Sequence, residues 1–108
     1  MKLSILMPVY NEEATLEEIT RRVMALPIEK ELILVDDCST DRTREILKQY
    51  ERRPEMKVVY LDKNYGKGRA VRTALDHATG EVVVVQDADL EYNPAELVPL
   101  LAPIERGE

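Results

Sequence analysis

Apolar positions along this chain fall into two alternating rhythms. Short unbroken runs rich in β-branched residues, "KLSILMPV" (2–9), "ELILVDD" (31–37), "KVVYL" (57–61) and "EVVVVQ" (81–86), read as strands. Between them, apolar residues recur every three or four positions. Leu16, Ile19, Val23 and Leu26 share one face of a helix predicted within 11–26. Asn11 is its expected cap, and Glu12 and Glu13 suit the positive end of its dipole. The stretch "STDRTREILKQYERR" (39–53) predicts a second helix, capped by Ser39, Thr40 or Asp41. A third, "RAVRTALDHA" (69–78), turns Ala70, Val71, Ala74, Leu75 and Ala78 inward and is expected to stop at Gly80. The preceding Gly66 and Gly68 suggest a turn with positive φ. Pro94 suits the first turn of a partly helical tail.

The order is β-α-β-α-β-α-β-α. Strands that are apolar at every position, rather than every second one, are buried on both faces, as in a parallel sheet covered by helices. The expected fold class is therefore α/β: a three-layer α/β/α, Rossmann-like unit with about four parallel strands and right-handed crossovers. Ligands of such sheets bind outside the carboxyl ends of the strands. Function is to be sought in the residues that follow each strand.

Composition narrows the classes. A chain of 108 residues, 44% of them hydrophobic, suits one domain with a real core. With five Tyr and no Phe or Trp, that core must be aliphatic. A net charge of −6 argues against nucleic acid as a partner, which calls for a basic face. The single cysteine, Cys38, forms no internal disulfide and reads as a small filler, while His77 reads as a surface residue. The start lacks signal-peptide features, and no run approaches the ~18 apolar residues of a membrane span. These readings make a cytoplasmic location the expectation.

The strand ends are mostly acidic: Glu12 and Glu13 after the first, Asp36 and Asp37 after the second, Asp87, Asp89 and Glu91 after the fourth. A dinucleotide-binding first turn needs glycines for close approach to a pyrophosphate, and here that turn has none. "GKG" (66–68) lacks Walker A spacing. A diphosphate can still bind an acidic edge through a hard cation. Asp87 and Asp89, two residues apart at a strand end, can present oxygens to it, and Lys67 and Arg69 add positive charge nearby. A phosphatase with an aspartate nucleophile carries its Asp-x-Asp on the first strand, not the fourth.

The blocks "SILMPVYNEE", "LILVDDCSTDRT", "NYGKGRAVRTAL" and "GEVVVVQDADLEYNP", in this order and each at a strand end, resemble family 2 glycosyltransferases of the GT-A fold. They are most similar to the branch that transfers sugars to dolichyl or polyprenyl phosphate. The resemblance implies that Pro8, Tyr10 and Glu12 surround the nucleoside and that Asp37 hydrogen-bonds the base, with Asp36 beside it. It places Lys67 near the phosphates. It makes Asp87 a ribose or metal contact, and Asp89 and Glu91 further ligands of Mg²⁺ or Mn²⁺. Glu91 stands where such lipid-phosphate transferases often carry Gln. The implied partner is a nucleotide-diphosphate sugar, UDP-, GDP- or dTDP-linked, with an acceptor such as a lipid phosphate. Residues 1–108 then form a donor-binding domain ending soon after the Asp-x-Asp block, with no catalytic base to nominate. Membrane association through the acceptor or a further region is an expectation of the same kind, whereas a two-fold homodimer is expected because an uncovered sheet edge and apolar patch seek a partner. A non-catalytic nucleotide-binding module is the alternative.

Overall fold

The computed structural model describes residues 2–89. Seven elements alternate along them: β1 (Leu3–Val9), α1 (Leu16–Met24), β2 (Lys30–Asp36), α2 (Thr43–Tyr50), β3 (Met56–Tyr60), α3 (Lys67–Asp76) and β4 (Val82–Val85). The four strands form one parallel sheet in the order β3-β2-β1-β4. Glu91 and the Pro94 segment lie outside the described residues.

Side chains alternate across a strand, so each strand feeds two cores. Leu3, Ile5, Met7 and Val9 of β1 join Leu32 and Leu34 of β2 against Leu16, Ile19 and Val23 of α1 and Leu47 of α2. On the opposite face, Leu6, Ile33 and Val35 meet Ala70 and Ala74 of α3. Alanine at both contact positions lets α3 lie close to the sheet. The result is the three-layer α/β/α arrangement that the unbroken apolar runs predict.

This order positions the site. The chain steps outward from β1 to β2 to β3 with α1 and α2 on one face, then returns across the sheet through α3 to place β4 on the other side of β1. The strand order therefore reverses between β1 and β4. Such a reversal opens a crevice at the carboxyl ends of the two strands.

Several local expectations change. Helix α1 begins at Leu16, and Asn11 is not its cap: Asn11 adopts a positive φ of 51° in the preceding loop. The reason is a better partner, since its side-chain oxygen accepts the Thr40 N–H at 2.8 Å. Helix α3 ends at Asp76, before Gly80. Gly80 is needed for close approach instead. A Cβ there would fall 2.6 Å from Ser4 Oγ and 2.8 Å from the Lys2 carbonyl oxygen. Gly66 has the expected positive φ, 100°, but Gly68 lies within α3 without one. Leu75 does not face inward and is 50% exposed. Val83 and Val85 are exposed too, because α3 packs over β1 and β2 and leaves that side of β4 uncovered. Cys38 is half-buried with a φ of 63°, a turn residue and not a filler.

At the opposite, amino-terminal edge of the sheet, Glu31 is buried. Its carboxylate accepts the Ser4 hydroxyl (2.5 Å) and the Thr79 N–H (2.6 Å) and pairs with Lys57 at 2.9 Å. Burial alone pushes this acid up. The hydrogen bonds from Ser4, Thr79 and Lys57 outweigh it and hold the pKa at about 2.

Candidate functional site at the carboxyl ends of the strands

A cavity of about 570 Å³ opens at the reversal point. The β1 end contributes Pro8, Val9, Tyr10 and Glu12, and Asp37 follows β2. Asn64, Gly66, Lys67 and Ala70 come from the start of α3, and Asp87, Ala88 and Asp89 from the turn after β4. Of the residues singled out from sequence, Pro8, Tyr10, Glu12, Asp37, Lys67, Asp87 and Asp89 thus share one cavity. Glu91 lies outside the described residues. Asp36 and Arg69 do not line it.

The loop after β1 is held amide by amide. The N–H groups of Asn11, Glu12 and Glu13 donate to Ser39 Oγ (2.9 Å), Thr43 Oγ1 (2.9 Å) and Asp41 Oδ2 (3.4 Å). Ser39, Asp41 and Thr43 alternate in sequence, and together they satisfy three successive donors that no strand or helix takes up. Asp41 also accepts the Thr43 N–H at 2.9 Å, at the start of α2. Burial raises its pKa, but the bonds from Thr43 and Glu13 prevail, leaving the carboxyl below its ordinary value. None of the three caps expected for α2 holds the capping position, which falls to Arg42 with no side-chain cap bond, and Asp41 instead braces the turn just before it.

The two aspartates after β2 divide their work. Asp36 is fully buried and accepts the Ser39 hydroxyl (2.5 Å), the Ser39 N–H (3.2 Å) and Arg44 Nε (2.6 Å). Arg44 also donates to the Leu61 carbonyl at 2.8 Å and stands 5.5 Å from the centre of the Tyr60 ring. Its ion pair with Asp36 raises the guanidinium pKa further. Asp37, at the cavity wall, uses one oxygen for the Tyr65 N–H (2.8 Å) and the other for the Gly66 N–H (2.9 Å). It thereby fixes the turn that Gly66, at positive φ, makes into α3. The Tyr65 ring beyond that turn lies 4.7 Å from the Arg69 guanidinium and 5.1 Å from the Lys63 ammonium. Stacking on this ring places the Arg69 charge outside the cavity lining.

The turn after β4 carries Asp87 and Asp89. Gln86 extends the ladder by donating its N–H to the Leu6 carbonyl at 2.9 Å. The Ala88 carbonyl then accepts the Thr15 hydroxyl at 2.9 Å, which ties this turn to the start of α1. Glu12 Oε2 lies 3.0 Å from the same hydroxyl. Asp87 Oδ1 stands 2.6 Å from the Lys67 ammonium, across the cavity. Sequence reasoning missed Thr15 and Asn64, which looked like an ordinary helix-start and loop residue. Their places follow from contacts across elements 73 residues apart in the Thr15–Ala88 case.

Among the described residues, no group of three or more His, Cys, Asp or Glu side chains is arranged to hold a metal ion. Asp87 and Asp89 both line the cavity and could present two hard oxygen ligands. That donor set fits Mg²⁺ or Mn²⁺ of the kind bound by one or two carboxylates and completed by substrate phosphates and water.

A parallel α/β sheet with a polar crevice at the reversal point defines a Rossmann-like domain of the GT-A type. The chain belongs to glycosyl transferase family 2, whose family model matches residues 4–108. It is 37% identical over 111 residues to the undecaprenyl-phosphate 4-deoxy-4-formamido-L-arabinose transferase of Edwardsiella ictaluri, with 97% of this chain and 34% of that protein covered. Among solved structures it is similar to S. aureus TarS 1-349 in complex with UDP-GlcNAc, with a TM-score of 0.84 and 35% identity over 98% of this chain and 32% of that one. It also resembles the mannosyltransferase PcManGT of Pyrobaculum calidifontis in complex with GDP-Man and Mn²⁺, at a TM-score of 0.74 and 34% identity, covering 81% and 27%. The chain spans about a third of the length of the curated relatives it matches. No described helix is long and apolar enough to cross a membrane.

Proposed function

We propose that this chain binds a nucleotide-diphosphate sugar with a divalent cation, as the donor site of an inverting glycosyltransferase whose acceptor is a polyprenyl phosphate. The observation that carries the reading is the gathering of Pro8, Tyr10, Glu12, Asp37, Lys67, Asp87 and Asp89 around one cavity at the reversal point. Similarity to proteins complexed with UDP-GlcNAc and with GDP-Man and Mn²⁺ supports the donor class. Similarity to an undecaprenyl-phosphate transferase supports the acceptor.

In this reading Pro8, Tyr10, Glu12 and Asp37 form the nucleoside end of the cavity. The Asp37 oxygens, already set by two amides, retain lone pairs for a base N–H. Asp87 and Asp89 hold Mg²⁺ or Mn²⁺, joined by Glu91, which lies outside the described residues. A bound cation would neutralise charge that develops on the departing diphosphate. Lys67 donates to a phosphate oxygen from the opposite wall. A phosphate oxygen of the acceptor attacks the anomeric carbon as the bond from that carbon to the diphosphate oxygen breaks, with inversion. An ionised phosphate needs no base to accept a proton.

Calorimetry of UDP, GDP and dTDP with Mn²⁺ and with EDTA tests the reading. Binding of one nucleotide with Mn²⁺, lost in EDTA and in Asp89→Asn, is expected. Equal affinity in EDTA would remove the metal from the site. Labelled sugar nucleotides and polyprenyl phosphate test the acceptor, with transfer to a saccharide hydroxyl as the contrary result.

A further inference from the structure

The Lys67–Asp87 pair spans the cavity, at 2.6 Å, on the very carboxylate assigned above to the divalent cation. An ammonium at hydrogen-bond distance and a divalent cation cannot share one carboxylate oxygen without strong mutual repulsion. A lysine that meets such repulsion moves to another anion where one comes within reach.

Its surroundings allow the exchange. The Lys67 side chain is 61% exposed against 30% for Asp87, so the pair is weak enough to open. Four methylenes let the ammonium move without moving the backbone. That backbone is fixed, because Asp37 holds the amides of Tyr65 and Gly66 immediately before it. A diphosphate in the cavity would offer the ammonium a stronger partner than one carboxylate.

Building on the proposed function, we infer that Lys67 couples metal binding to nucleotide binding. It occupies Asp87 as an internal counter-ion and so weakens the site for a divalent cation alone. When a nucleoside diphosphate enters, Lys67 transfers to a phosphate oxygen and releases Asp87 to the cation. Each ligand then raises the affinity of the other by the same factor, as linkage requires. The acid cluster at the end of β4 is thereby protected from collecting stray cations while no donor is bound.

The test measures Mn²⁺ affinity by electron paramagnetic resonance, with and without UDP or the nucleotide the calorimetry selects, for the wild type, Lys67→Gln, Lys67→Arg and Asp89→Asn. Lys67→Gln should bind Mn²⁺ alone about three- to tenfold more tightly and the nucleotide in saturating Mn²⁺ about three- to tenfold more weakly. Opposite shifts cannot come from structural damage, which weakens both. Lys67→Arg keeps the charge and should retain most of the coupling. Unchanged or weaker Mn²⁺ binding by Lys67→Gln, with wild-type nucleotide binding still lost in Asp89→Asn, would overturn the inference while leaving the donor site intact. If the wild type binds no nucleotide with Mn²⁺, the donor site and the inference fall together.

Discussion

Two pairs of carboxylates end two strands of one sheet, and they have opposite surroundings. After β2, Asp36 and Asp37 are 0% and 4% exposed, and five hydroxyl, amide and guanidinium donors reach them. After β4, Asp87 and Asp89 are half-buried, and Asp87 pairs with Lys67, whose side chain is 61% exposed. The first pair organises protein. It anchors Arg44 through Asp36 and the turn into α3 through Asp37. The second pair lines the cavity. An acid becomes structural where the fold supplies fixed donors for its lone pairs, and stays available where its counter-charge can leave.

The comparison can be broken most severely at Asp36. Asp36→Ala strips the Ser39 N–H and hydroxyl of their buried acceptor, while Arg44, 37% exposed, keeps the Leu61 carbonyl, a loss of about 2–3 kcal/mol. The urea midpoint should fall accordingly, and an unchanged midpoint would refute the division between the pairs. A third acid extends the comparison to the far edge. Glu31 has a folded pKa of about 2 against an ordinary 4.5, so it contributes stability in full above pH 4.5 and loses it as the pH falls through 2. That contribution is about 3 kcal/mol, and Glu31→Gln should flatten the acid limb of the stability profile between pH 4.5 and 2.

Asp89→Asn sharpens the contrast from the other side. Its unfolding midpoint should stay within the ±0.5 kcal/mol typical of surface changes. Nucleotide affinity in Mn²⁺ should fall about 100-fold, roughly 2.7 kcal/mol. Parallel losses in stability and binding would make this pair structural like the first. The smallest effect is expected beside Asp37. Cys38 holds a φ of 63°, where an L side chain costs roughly 1–2 kcal/mol, partly offset in Cys38→Gly by the unfolded-chain entropy of glycine. A gain of about 0.5–1 kcal/mol in urea unfolding is expected, with nucleotide binding unchanged.

Much was legible in the residues alone. Unbroken Ile, Leu and Val runs separated by helical periodicity determine a covered parallel sheet, because strands buried on both faces leave no polar alternation. From that sheet it follows that the chemistry stands at the strand ends, and the motif blocks identify Pro8, Tyr10, Glu12, Asp37, Lys67, Asp87 and Asp89 as candidates. The motif singled out Asp37 but gave no role to Asp36, since only packing decides that Asp36 is the one to meet Arg44. Nor could it exempt Val83 and Val85 from burial, because an apolar residue records what it tolerates and not whether a helix covers it. Gly80 looked like a helix stop, yet its reason is Ser4, 76 residues away. The pairing of Lys67 with Asp87 is of the same kind. The strand order brings β4 beside β1, α3 crosses to the same edge, and only then do two charges 20 residues apart in the chain face each other across a cavity.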